Sequence, residues 1–260
     1  MAGHSKWANI KHRKARQDAK RGKVFTKIIR EITVAAKGGP DPADNPRLRL
    51  ALDKANSENM PKDTITRAIQ KGSGTGETGD IEEITFEGYG PGGIAIYIET
   101  VTDNRNRTVA EVRHAFSKFG GNLGTDGSVS YLFNKIGIIH LNKEFSEEEI
   151  MDFVIEYEAD DFIEEDEFYE IVTSPSSLHA IVDKMKENNI DSINAELTLR
   201  PETTVLIDEE MSEKVIKLMN HMDDLDDVQE VHTNAEFPAC LLYTSPSPRD
   251  VEESRMPSSA

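Results

Sequence analysis

Lys6, Lys11, Arg13, Lys14, Arg16, Lys20, Arg21, Lys23, Lys27 and Arg30 all fall within the first thirty residues, with His4, Trp7 and His12 set among them. Ammonium and guanidinium groups at this density neutralise phosphates, release counterions and give an affinity that tolerates changes of base sequence. An aromatic ring placed between them can stack on an unpaired base. Eleven Lys and Arg stand in the first 37 residues against two acids, Asp18 and Glu31. Residues 1–72 hold 17 basic and 7 acidic side chains, a net of +10, whereas the remainder holds 13 and 41, a net of −28. A surface that only confers solubility has no need of a charge opposite to the rest of the chain, so the basic arm predicts a polyanionic partner. Large apolar groups in the arm are few, mainly Trp7 and Ile10. That is too little for burial in a membrane surface, and nucleic acid is the expected partner.

A second candidate lies at Asp103-Asn104-Arg105-Asn106-Arg107-Thr108, where a strand gives way to a helix. Helix N-termini attract anions, and Arg105 and Arg107 would strengthen that attraction. Ordinary capping by Asn or Thr, with the arginines paired to nearby acids, reads equally well. Gly120-Gly121-Asn122-Leu123-Gly124-Thr125-Asp126-Gly127 reads as a long turn. The acidic runs at 160–161, 164–167 and 223–227 lack the alternating ligands and central Gly of a Ca²⁺ loop, and are expected to be solvated faces. The histidines form no H-x-x-x-H pair, Cys240 is the only cysteine, and no metal or cofactor is expected. Gly72-Ser73-Gly74-Thr75-Gly76 lacks the Gly-Lys-Ser/Thr ending of a phosphate loop and reads as a flexible linker. No nucleophile elbow is present, so no enzymatic activity is expected. The start MAGHSKWANIKHRK has no apolar signal region and no stretch is long enough to span a membrane. With a single cysteine, this predicts a reducing cytoplasm.

Three helices precede the linker. Val24, Phe25, Ile28, Ile29, Ile32, Ala35 and Ala36 share one side of a helix over 23–37, and Lys23, Lys27, Arg30 and Lys37 the other. Asn45-Pro46 predicts the start of a second helix and Pro61 that of a third, ending at Gly72. Residues 1–21 read as an arm that orders on its partner. Beyond the linker, strands are expected at 84–89, 94–102, 129–133, 136–141, 161–163, 168–173, 193–199, 203–207 and 228–232. Helices are expected at 108–119, 146–157, 177–186 and 210–222. The order from 136 to 199 is βαββαβ, the ferredoxin-like signature. The elements after 200 cannot extend that closed unit. They are expected to return to the sheet begun at residue 84. The fold class is therefore α+β: a basic arm and helical domain at 1–80, an α+β domain at 81–134 and 201–237, and an inserted ferredoxin-like domain at 135–200. Residues 238–260, rich in Pro and Ser and without a period, resemble a cloning or sequencing read-through.

Three segments carry a family resemblance: AGHSKWANIKHRKARQDAKRGKVFTKIIREITVAAKGG, DNPRLRLALDKANSENMPKDTITRAIQKG and EGYGPGGIAIYIETVTDNRNRTVAEVRHAFSKFGGNLGTDGSVSYLF. They closely resemble the YebC/PmpR family. Its members include bacterial probable transcriptional regulators and the mitochondrial translational activator of cytochrome c oxidase. The resemblance spans residues 2–237 and, starting at Ala2, looks like a bacterial member. It implies three domains, the third inserted in the second, and a cytoplasmic, non-enzymatic role on nucleic acid. Two roles are implied within the family. One is DNA-binding transcription regulation. The other is translation on the ribosome, through ribosomal RNA, assisting synthesis of proline-rich stretches. No helix-turn-helix or zinc-finger spacing is present in the sequence.

Overall fold

The N-terminal bundle forms because three amphipathic segments share one apolar seam. A computed structural model describes residues 21–74, 81–165 and 167–238. Helices α1 (Arg21–Ala36), α2 (Pro46–Ser57) and α3 (Lys62–Gly72) bury Ile28, Ile32, Leu48, Ala51, Ala55, Ile65 and Ala68 against one another. Asn45 sets the first turn. Its Oδ1 accepts from Leu48 N at 3.0 Å to cap α2, and its amide donates to the Ala35 carbonyl at 2.7 Å. Gly72 is needed where α3 ends against α1, because a Cβ there would lie 2.0 Å from the Thr33 carbonyl oxygen. The two helices thus end together.

Beyond the linker come β1 (Glu82–Tyr89), β2 (Ala95–Thr102), α4 (Arg105–Lys118) and the two-residue β3 (Asn122–Leu123). There follow β4 (Phe133–Asn142), α5 (Glu147–Glu156), β5 (Asp161–Glu164), β6 (Phe168–Thr173), α6 (Leu178–Glu187) and β7 (Ser192–Pro201). The chain closes with β8 (Val205–Leu206), α7 (Glu209–Asp223), β9 (Val228–Thr233) and β10 (Ala235–Glu236). The fold is α+β, with a helical bundle and two α+β units. One sheet has the order β3-β1-β2-β9 and the other β5-β6-β4-β7, with every neighbouring pair antiparallel. The second order is that of a ferredoxin-like unit. β9, more than a hundred residues after β2, pairs with it directly, so the ferredoxin-like unit is an insertion. Under the first sheet, α4 and α7 pack Val112, Ala115, Phe116, Val215, Leu218 and Met222 onto Ile96, Ile98 and Val231. Burial of a side chain such as Phe116, 0% exposed, contributes about 2–3 kcal/mol.

Two expected strands differ. Residues 129–133 do not form one: a 3₁₀ turn spans Ser130–Leu132 and the strand starts at Phe133, running unbroken to Asn142. Residues 203–207 shrink to β8, which lies parallel to β10 in a separate pair rather than in the main sheet. The reason in the first case is Glu87. Its buried carboxylate accepts from the amides of Gly127, Val129 and Ser130 at 2.7–2.8 Å, which takes those donors away from any sheet. The glycine-dense turn therefore wraps an internal anion. Burial raises the Glu87 pKa, but these amide bonds outweigh it and hold the carboxyl below its ordinary value of 4.5.

A group with a depressed folded pKa stabilises above its unfolded value, and that stability is lost as pH falls through the folded one. Glu87→Gln is expected to lower stability at pH 7 by about 1–3 kcal/mol, because its NH₂ faces amide donors. It should also flatten the loss of stability below about pH 4.5, as read by urea unfolding at stepped pH. An unchanged acid limb would remove Glu87 from this role.

Candidate nucleic-acid interface

Of the arm, His4, Lys6, Trp7, Lys11, His12, Arg13, Lys14, Arg16 and Lys20 lie outside the described residues. Arg21 opens α1. The next three cations of α1 are each paired with the acidic run at 223–227. Lys23 Nζ donates to the Asp224 carbonyl at 2.6 Å and its carboxylate at 3.2 Å. Lys27 Nζ lies 2.9 Å from Asp223 Oδ1. The Arg30 guanidinium lies 2.9 Å from Asp227 Oδ1 and also donates to the Asp226 carbonyl. The run at 223–227, expected as a solvated face, is instead the counter-surface of α1. Asp227 is fully buried, and it is the centre of the arrangement.

Four side chains converge on that carboxylate. Besides Arg30, Arg107 donates through Nε at 3.1 Å and Nη2 at 2.8 Å, and Thr102 and Thr108 hydroxyls donate at 3.1 and 2.8 Å. The Val101 amide donates to the Asp227 carbonyl at 2.9 Å. Burial raises the Asp227 pKa, yet the bonds from Arg107 and Thr108 and the Arg30 charge hold it below the ordinary aspartate value. Asp103 takes the outer Arg107 nitrogen at 2.9 Å. Asn104 caps α4 by accepting from Arg107 N at 3.1 Å, so the helix starts at 105 rather than 108. Of the two readings of this junction, capping with ion pairing describes Arg107, while Arg105 stays exposed.

The helical unit is tied to the ferredoxin-like one as well. Arg49–Asp183 and Lys186–Asp53, each 3.4 Å, cross from α2 to α6 beside a cleft of about 210 Å³. Lys54 sits 3.5 Å from Glu31 and 3.9 Å from Glu196, with Glu230 also acting on it. Burial lowers its pKa, but the three carboxylates outweigh this and keep the amine charged above the ordinary lysine range. Nearby, His232 Nε2 lies 3.2 Å from Glu99 and 3.6 Å from Glu230. Among the described residues this is the one group of three His, Cys, Asp or Glu whose ligand atoms all lie within 4.8 Å of one another, as a shared cation would require.

Some cations that the sequence reading passed over have no acidic partner among the described residues. Lys62, Arg67 and Lys71 are exposed on α3, and Arg113, His114 and Lys118 on α4. A count by element was the available signal for α4. It carries four of the six Lys and Arg in residues 82–133 and 202–237, and one acid, Glu111.

The family description "TACO1/YebC protein N-terminal domain" matches residues 5–75, and "TACO1/YebC second and third domain" matches 81–235. The chain belongs to the TACO1/YebC family. A relative in Hahella chejuensis, bearing the name "Probable transcriptional regulatory protein", is 56% identical over 243 residues, covering 93% of this chain and 98% of its own. A Pseudomonas putida relative of the same name is 56% identical over 239 residues, covering 91% and 96%. Among solved structures, a conserved hypothetical protein of Aquifex aeolicus matches with a TM-score of 0.79 at 49% identity, covering 85% of this chain and 92% of that one. TACO1/YebC membership agrees with the resemblance carried by the three sequence segments. Among the described residues of this family member, no helix is long and apolar enough to cross a membrane.

Proposed function

We propose that the chain is a cytoplasmic, non-enzymatic regulator of transcription that holds DNA through its basic N-terminal arm. The observation that carries this reading is the change of charge sign at residue 72, from +10 to −28. The net charge of the acidic units would repel a phosphate backbone, so the main contact falls on the segment of opposite sign. The names of the relatives support regulation. The pairing of Lys23, Lys27 and Arg30 with the 223–227 run moves the burden of binding onto residues 4–21.

A second reading, a translation factor on ribosomal RNA that assists proline-rich synthesis, is favoured by one feature. Trp7 is the only tryptophan and stands inside the arm. A ring there gains from an unpaired base, which ribosomal RNA offers and a closed duplex does not.

The test is co-sedimentation of the full chain with ribosomes against retention on duplex DNA at matched salt, with Trp7→Ala beside the parent. Retention on DNA with little effect of Trp7→Ala supports the first reading. Ribosome association, with a loss of about 1–3 kcal/mol on single-stranded RNA in Trp7→Ala, replaces it with the second.

A further inference from the structure

Helix α4 is basic inside an acidic unit. Arg105, Arg113, His114 and Lys118 are all exposed on it, and none has an acidic partner among the described residues. The two lysines of α7, by contrast, are each paired one turn away, Lys214 with Glu210 at 2.7 Å and Lys217 with Glu213 at 3.1 Å. Unspent positive charge in this unit thus collects on one helix. The potential there is felt by a neighbour. His221 stands on α7, its ring 5.3 Å from that of Phe119. Burial, then the charges of Lys118 and His114, hold its pKa below the ordinary histidine value.

Position gives the second observation. Arg107 on the first turn of α4 and Arg30 on α1 grip the same Asp227 carboxylate. That shared anchor fixes the start of α4 beside α1, the helix that continues the arm. A 14-residue helix is about 20 Å long, a length over which one strand of a duplex presents about six phosphates.

We propose that the exposed cations of α4, Arg105 at its first turn and Arg113, His114 and Lys118 further along, form a second phosphate-contacting surface that meets the same DNA duplex as the arm. The inference rests on the nucleic-acid reading and extends it to the acidic unit, where charge complementarity selects a polyanion. The arm supplies reach, and α4, held rigid by its packing on the sheet, supplies a fixed orientation of the acidic units relative to the duplex axis.

The test uses the full chain carrying Arg105→Gln, Arg113→Gln and Lys118→Gln together, with Lys214→Gln and Lys217→Gln as the control. Binding to a mixed-sequence DNA duplex is titrated over salt. Thermal unfolding of each variant reports folding, and Arg113→Glu alone provides a second reading at a single exposed position. The triple variant is expected to shallow the slope of log K against log[salt] by about 3, with the control unchanged, since each lost contact removes about 0.9. Arg113→Glu should weaken binding in the same direction. A parent slope shared by a folded triple variant would overturn the α4 surface and leave the arm in place. A flat slope in the parent itself would overturn the nucleic-acid reading and this inference with it. A loss seen on single-stranded RNA but not on the duplex would overturn the duplex as the occupant.

Discussion

Asp227→Asn is expected to cost about 3–5 kcal/mol of folding stability, the usual range when one member of a buried ion pair is removed and its partners are left charged. The carboxylate is fully buried and is shared by Arg30 and Arg107. An amide cannot satisfy two guanidinium groups, and its NH₂ would point at donors. The loss has a second expression. Arg30 belongs to α1 and Arg107 to α4, so the substitution also loosens the bundle from the sheet it docks on. Urea unfolding should show a lower midpoint, and limited proteolysis should cut more readily between residues 73 and 81. A change below about 1 kcal/mol would show that the two arginines are satisfied by solvent.

Removal of the arm should have the largest effect on binding and little on folding. A chain of residues 21–237 keeps all three helices of the bundle and both sheets. It should therefore unfold cooperatively with the parent's midpoint, while losing most of its affinity for nucleic acid. If affinity survives, the site is in the folded units, with Arg105 and the rest of α4 the first place to look.

Much of this architecture was legible from side-chain periods. The seams of α1, α2 and α3 follow from apolar groups at helical spacing. The βαββαβ order and the return of 228–232 follow from strand lengths and the closure of the inserted unit. What could not be read depends on partners distant in sequence. Residues 129–133 have the composition of a strand, but the amides of Val129 and Ser130 are claimed by Glu87, some forty positions earlier. Lys23, Lys27 and Arg30 fall opposite the apolar side of α1, and a local pattern places such cations in solvent. They are covered instead by an acidic turn about two hundred residues later. Asp227 illustrates the limit most directly, since nothing in Asp223-Asp224-Leu225-Asp226-Asp227 distinguishes the buried carboxylate from the exposed ones. The candidate site divides in the same way. The net charge of the arm is visible in any window, whereas the availability of each cation requires knowing which acids reach it.

If the arm binds by neutralising phosphates, affinity must fall steeply as salt rises, and the fall must depend on the arm. The full chain and residues 21–237 are titrated against one duplex over a range of salt. With about six phosphate contacts from the arm, their slopes of log K against log[salt] should differ by about 5, and by about 4 on a single strand. Equal slopes for the two chains would exclude phosphate neutralisation by the arm.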